Sequence, residues 1–268
     1  MKTRFLLIIA LSFATNLYSQ SFNELWNDFN DNLRDNLPQS AETTLNKIED
    51  KAVKENNQKE LLKTFLYRFK IFSLQDENPI ETSINFAKDN VSRLHEPEKS
   101  LFNIAIASLY ETYMIFNNNL IKNNIPIANS QQLIANSLNM KFWDEATFKR
   151  VIDKYYENAL ADIKSLQDKS AESFRDILAI NDETAEFDFY IEPTLYDYVL
   201  HKIIDYKNNH GNSVDTSLNG ISELYQDLID FDKSRNYDDA AIYNEINKLK
   251  YEYKTTDDYE TYYNSLEK

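Results

Sequence analysis

Three histidines, His95, His201 and His210, are the first place to look for chemistry in this chain. Zinc hydrolases present two histidines at a fixed helical spacing beside a carboxylate, as in His-Glu-x-x-His. None of the three has such a setting: His95 precedes Glu96-Pro97 at a helix junction, His201 lies beside Lys202 on a helix, and His210 lies in the turn after it. Asp182, Glu183, Glu186, Asp188 and Glu192 form an acidic cluster that could attract calcium. A calcium loop needs alternating oxygen ligands and a glycine for its sharp turn, and this segment has no glycine, so a solvated loop is expected. Glu111 and Asp162 fall on or near apolar helix faces, and two carboxylates flanking a sugar can perform acid–base hydrolysis. Spacing alone does not bring them to one cleft, so helix-edge carboxylates, paired or hydrated, are expected instead. With only 2 glycines in the chain, a Gly-x-Ser-x-Gly elbow and a Gly-rich phosphate loop are both excluded. Cysteine is absent, which removes disulfides, thiolate metal sites, a cysteine nucleophile and an acylated lipoprotein anchor. No catalytic, cofactor-binding or metal-ligating residue is therefore expected, no cofactor, and no enzymatic activity.

Charge narrows the partners. The 268 residues carry 44 acidic and 29 basic side chains, a net charge of −15. Nucleic-acid affinity comes largely from Lys and Arg on phosphates, so a nucleic-acid partner is not expected. Docking on an anionic membrane is disfavoured for the same reason. Aromatic residues make up 13% of the chain and apolar residues 42%, enough to build a core despite the charge. Trp26, Trp143 and the many Tyr and Phe residues could stack on sugars or peptide side chains, but their helical spacing makes core packing the expectation. Trp143 is expected to pack beneath the helix cap at Asp144.

The elements that must position these residues are helices. Lys2 and Arg4 precede an apolar run, Phe5 to Phe13, and then a polar stretch to Gln20: the layout of an export signal. The run is too short to cross about 30 Å of hydrocarbon. Residues 1–19 are read as a signal peptide cleaved near Ser19, and residues 20–268 as a helical-repeat-like domain in the periplasm or secreted medium. Pro38, Pro79, Pro97 and Pro193 each stand before a stretch of helical periodicity, and Asn78 and Glu81 suggest a cap. Leu45, Ile48 and Ala52 share one face; after a turn at Asn56-Asn57-Gln58, Leu62, Phe65, Leu66, Phe69 and Phe72 line the next helix. Ile84, Ala87 and Val91 line a third. Leu101, Ile104, Ala105, Ser108, Thr112 and Ile115 line a fourth, apolar on its other sides too and so the expected buried centre. One continuous stripe runs from Phe148 through Val151, Ile152, Tyr155, Ala159 and Ile163 to Leu166, capped by Asp144. Leu195, Val199, Ile203 and Tyr206 define another helix. Ile221, Leu224, Tyr225, Leu228 and Phe231 are expected to pair with Ile242, Ile246, Leu249 and Tyr253 across a turn at 232–237, with a last helix at 257–266. Strand-like alternation occurs only weakly, at Phe187, Phe189 and Ile191. The fold class expected is all-α: an irregular, tetratricopeptide-like array of stacked helical hairpins.

Several stretches resemble the N-terminal helical region of the large alpha-2-macroglobulin-like proteins of Bacteroidota. They are Leu37-Pro38-Gln39-Ser40-Ala41 with Ile48, Ala52 and the run from Leu62 to Phe69; Ser108-Leu109-Tyr110-Glu111-Thr112-Tyr113 running on through Phe116; and Phe142-Trp143-Asp144. Glu192-Pro193-Thr194-Leu195-Tyr196-Asp197-Tyr198-Val199-Leu200-His201 and Leu224-Tyr225-Gln226-Asp227-Leu228-Ile229 complete the set, in order over residues 22–268. The Pro-Thr-Leu-Tyr-Asp patch is the most specific. In such proteins the helical region leads into macroglobulin β-sandwiches, a bait segment and often a Cys–Gln thioester, and the whole traps proteases. The resemblance implies a helical module that continues, in a full-length protein, into domains this chain lacks. Its expected partner is protein, either those downstream domains or a separate molecule; the alternative is an independent periplasmic scaffold holding a peptide or glycan.

Overall fold

The computed structural model describes residues 20–123, 140–178, 189–211 and 218–254. The signal segment, most of the acidic cluster and the last expected helix lie outside the described residues. Within them the chain is all-α. Its helices are α1 Phe22–Arg34, α2 Pro38–Lys54, α3 Gln58–Gln75, α4 Pro79–Asn90, α5 Glu98–Phe116, α6 Asn118–Ile121 and α7 Glu145–Ala159. Then come α8 Ile163–Gln167, α9 Arg175–Leu178, α10 Leu195–His210, α11 Ile221–Arg235 and α12 Asp238–Lys254.

Neighbours in sequence are neighbours in space. Helices α1 to α5 pack in succession, α7 and α10 pack on α5, and α11 and α12 complete the stack. Three of the hairpin turns are built alike. Asn36, Asn56 and Asn236 adopt positive φ angles of 56°, 52° and 60°, and each is followed by one residue before the next helix begins. In each turn the N–H after the asparagine returns to a carbonyl in the last helical turn: Leu37 to Asn32 at 2.8 Å, Asn57 to Ala52 at 2.8 Å, Tyr237 to Asp232 at 2.9 Å. This closes the helix end in the way glycine ordinarily does, and asparagine is the other residue that tolerates left-handed backbone. The repeat unit is therefore written in its turns and not in a consensus of core residues. Only α10 ends on a glycine, Gly211, with φ 73°.

Helix α5 is the buried centre, as its composition implies. Phe102, Ile106 and Ala107 are fully enclosed, and Leu101, Ile104, Tyr110, Tyr113 and Met114 are also buried. The expected stripe is wrong in its second half, because Ser108 and Ile115 point to solvent while Tyr110, Tyr113 and Met114 are buried, the two tyrosines against α7. A helix apolar on several sides has no single face that spacing can pick out. A smaller core lies at the N-terminal end, where Leu25, Trp26 and Phe29 of α1 meet Ala41, Leu45, Ile48 and Ile71.

Other expectations are corrected. The stripe from Phe148 does not continue: α7 stops at Ala159, α8 is a separate short helix, and Ile163 is exposed. Tyr156 rather than Tyr155 is the buried tyrosine of α7. Asn78 stands at the start of α4 but makes no side-chain cap there. Pro38 and Pro79 are first helical residues, whereas Pro97 occupies the cap position of α5 and Pro193 precedes the capping Thr194. Asp232 belongs to α11, and Ile242 is exposed while Ala240, Ala241 and Asn244 face inward. Phe189 to Ile191 form a turn.

Long-range ion pairs tie α3 to α9. Lys59 and Lys63 of α3 both reach Asp176 of α9, at 2.7 and 3.0 Å. Burial pushes the Asp176 carboxyl up, but the two lysines together hold it below its ordinary value. Among the described residues, no helix is long and apolar enough to cross a membrane.

Candidate functional site

Because α5 is apolar on several sides, α4 and α7 both pack on it, and a cleft of about 980 Å³ remains between them. Its walls carry Lys88, Lys99, Arg150 and Lys154 against Glu81, Glu96, Asp153 and Glu157, four of each sign. In a chain of net charge −15 this balance sets the cleft apart from the rest of the surface. Beneath it lies an aromatic wall: Tyr110 stacks on Trp143 at 5.9 Å and on Tyr155 at 5.6 Å. Tyr155 is the half-exposed end of that wall. Burial raises the Tyr110 hydroxyl well above its ordinary range, so it stays protonated and bonds to Tyr155. Tyr113, deeper in α5, donates to Glu81 at 3.3 Å, and burial with that neighbour pushes its pKa up to about 12.

Asp144 holds one wall in place. Its carboxylate accepts from the Thr147 N–H at 2.8 Å, capping α7 as the sequence implied, and Trp143 packs under it against Phe148. Replacing Asp144 by Ala is expected to lower stability by about 0.5–2 kcal/mol, read as a lower midpoint of thermal unfolding with cooperativity intact. An unchanged midpoint would show that the cap does not hold α7.

The candidate residues of the sequence are dispersed. His95 is exposed at the α4–α5 junction, where its backbone N–H donates to Gln58 Oε1 at 2.9 Å. His210 Nε2 lies 2.8 Å from Glu111 Oε1, joining the end of α10 to α5. Asp162 instead caps α8, accepting from the Ser165 N–H at 3.1 Å in an exposed position. Glu111 and Asp162 are thus engaged with different partners on different elements. Of the acidic cluster only Glu192 is described, and it pairs with His201.

That pair opens onto a network the sequence reading missed. Glu192 Oε1 lies 2.7 Å from His201 Nδ1, and Asn244 Oδ1 lies 2.8 Å from His201 Nε2. Asn244 Nδ2 donates to Asp232 Oδ2 at 3.0 Å, which leaves its Oδ1 to accept from the ring. Both ring nitrogens therefore donate, and the imidazole is charged. Burial pulls its pKa down, but Glu192 and Asn244 more than offset this and raise it overall. Asp232 in turn faces Asp197, and both carboxyls are fully buried. Asp197 Oδ2 is held by the Thr194 backbone N–H at 3.0 Å and by its hydroxyl in a capping box. The Oδ1 atom of each aspartate is buried without a hydrogen-bond partner, and burial raises both carboxyls above their ordinary values. Burial, with Asp197 beside it, pushes Asp232 up to about 8. No family model, curated protein or solved structure matches the chain.

The network had readable signals. Thr194-x-x-Asp197 just after Pro193 is the spacing of a capping box. Asp232 continues the buried α11 series Ile221, Leu224, Tyr225, Leu228 at helical period, and an acid on such a face must find a partner. Among the described residues, no group of three or more His, Asp or Glu side chains is placed to hold a metal ion.

Proposed function

We propose that this chain is a non-enzymatic, exported helical interaction module of the kind that leads alpha-2-macroglobulin-like proteins, lacking the bait and thioester regions. The observation that carries this reading is how its polar residues are used. Thr194 and Asp197 come from the most specific patch of that resemblance and Glu192 and His201 from the stretch around it; Thr194 and Asp197 cap α10, and Glu192 holds His201 where it meets Asn244 of α12. Such use is structural. The surface left for a partner is the cleft between α4, α5 and α7, whose mixed charges and amide-bearing walls suit a polypeptide segment better than a single charged metabolite. The aromatic wall ending in Tyr155 favours, as a second reading, an independent periplasmic scaffold that holds a peptide or glycan there.

Trapping requires a cleavable bait coupled to a large rearranging body, and covalent capture requires a thioester; this cysteine-free chain supplies neither. The purified mature chain added at equimolar amount to a protease is therefore expected to be cut as an ordinary substrate while turnover of a protein substrate stays unchanged. Stoichiometric loss of protease activity would overturn the reading.

A further inference from the structure

The Asp197–Asp232 pair joins α10 to α11, with both carboxyls fully buried and the Oδ1 atom of each left without a hydrogen-bond partner. We propose that these two oxygens share a proton, which makes the seam between α10 and the α11–α12 hairpin a latch, closed in acidic and neutral medium and loosened in alkaline medium. Hydroxide takes the proton from Asp232 Oδ1, leaving water and two carboxylates in a fully buried site. Like charges at such contact repel, and neither can reach solvent without moving its helix.

The surroundings reinforce this direction. Glu192, His201, Lys202 and Asp205 come from the α10 side, Asp227 and Asp232 from α11, and Tyr243 and Asn244 from α12. On the other side of α10, Glu111 engages His210 and Asp153 acts on Lys207 and Tyr206, so neither offsets the pair. The His201 imidazole also belongs to the network, and its own proton leaves in the same direction of pH. The signs agree. Asp232 binds its proton more tightly folded than unfolded, with a folded pKa of about 8, so stability is greatest in acid and declines as pH rises toward that value. His201, also raised, loses its contribution as pH rises through its folded pKa.

The test is thermal unfolding of the purified chain at about pH 6 and about pH 9, beside Asp232→Asn, whose amide can donate permanently to Asp197. The parent midpoint is expected to fall by about 5–10 °C over that interval, and the Asp232→Asn midpoint by less than about half as much. Lysine and tyrosine titration affects both proteins alike, so the difference reads the pair. An equal fall in both would overturn the latch. Carbon-13 NMR of the aspartate carboxyls in the parent gives an answer even if the variant does not fold. One carboxyl titrating above about pH 6 supports the shared proton, and all aspartates titrating below about pH 5 contradicts it.

Discussion

Ile152→Asp is expected to abolish cooperative unfolding of the chain. Ile152 is fully buried on α7, in a face made of Phe148, Val151, Tyr156 and Ala159 that packs on α5. A carboxylate there must either shed its charge or draw water into the core, at a cost of about 4 kcal/mol or more. Domains have about 5–15 kcal/mol of stability in all, and among the described residues α5 with α7 is the most extensive helix pair. Far-UV circular dichroism on heating should show a broad, weakly cooperative loss of helix. A sharp transition like the parent's would mean that this face of α7 does not face a core.

Phe102→Ala is the second large effect. Phe102 lies where α3 and α5 cross, stacked on Phe69 at 5.9 Å and tilted against Phe65 at 5.5 Å, with no exposed surface. Phe65 in turn meets the edge of Phe86 on α4 at 5.5 Å. Removing the ring leaves a cavity that three rigid helices cannot close, costing about 3–5 kcal/mol. For a chain of this size the unfolding midpoint should fall by about 10 °C. Phe116→Ala provides the contrast: Phe116 is 78% exposed, and its loss should change stability by no more than about 0.5 kcal/mol. Equal effects from the two substitutions would contradict the placement of the core.

What the sequence made legible follows from how each feature is encoded. Helices with one apolar stripe, such as the face of Leu45, Ile48 and Ala52, can be read directly because burial repeats at helical period. Asp144 was readable because a cap is a local contact over three residues. The inward side of α5 in its second half was not, since a helix packed against α3, α4, α7 and α10 carries apolar residues on several sides. The break between α7 and α8 was also hidden: Leu160 to Asp162 contain neither glycine nor proline, and Ile163 and Leu166 keep the period of the preceding helix. The polar network was hidden for a different reason. Glu192, Asp197, His201, Asp232 and Asn244 span more than fifty positions, and nothing in spacing says that His201 meets Asn244 instead of water. The cleft has the same origin, being the gap left where α4 and α7 both take a side of α5.

We propose that the cleft between α4, α5 and α7 is where this module takes hold of a polypeptide. The most direct measurement is hydrogen exchange of the purified chain with and without a peptide selected from a random peptide array, repeated with Tyr155→Ala. Protection confined to α4, α5 and α7, weakened at least tenfold in apparent affinity by Tyr155→Ala, is the predicted result. Protection centred on the exposed Phe116 at the end of α5 and Leu120 of α6, or binding indifferent to Tyr155, would contradict it.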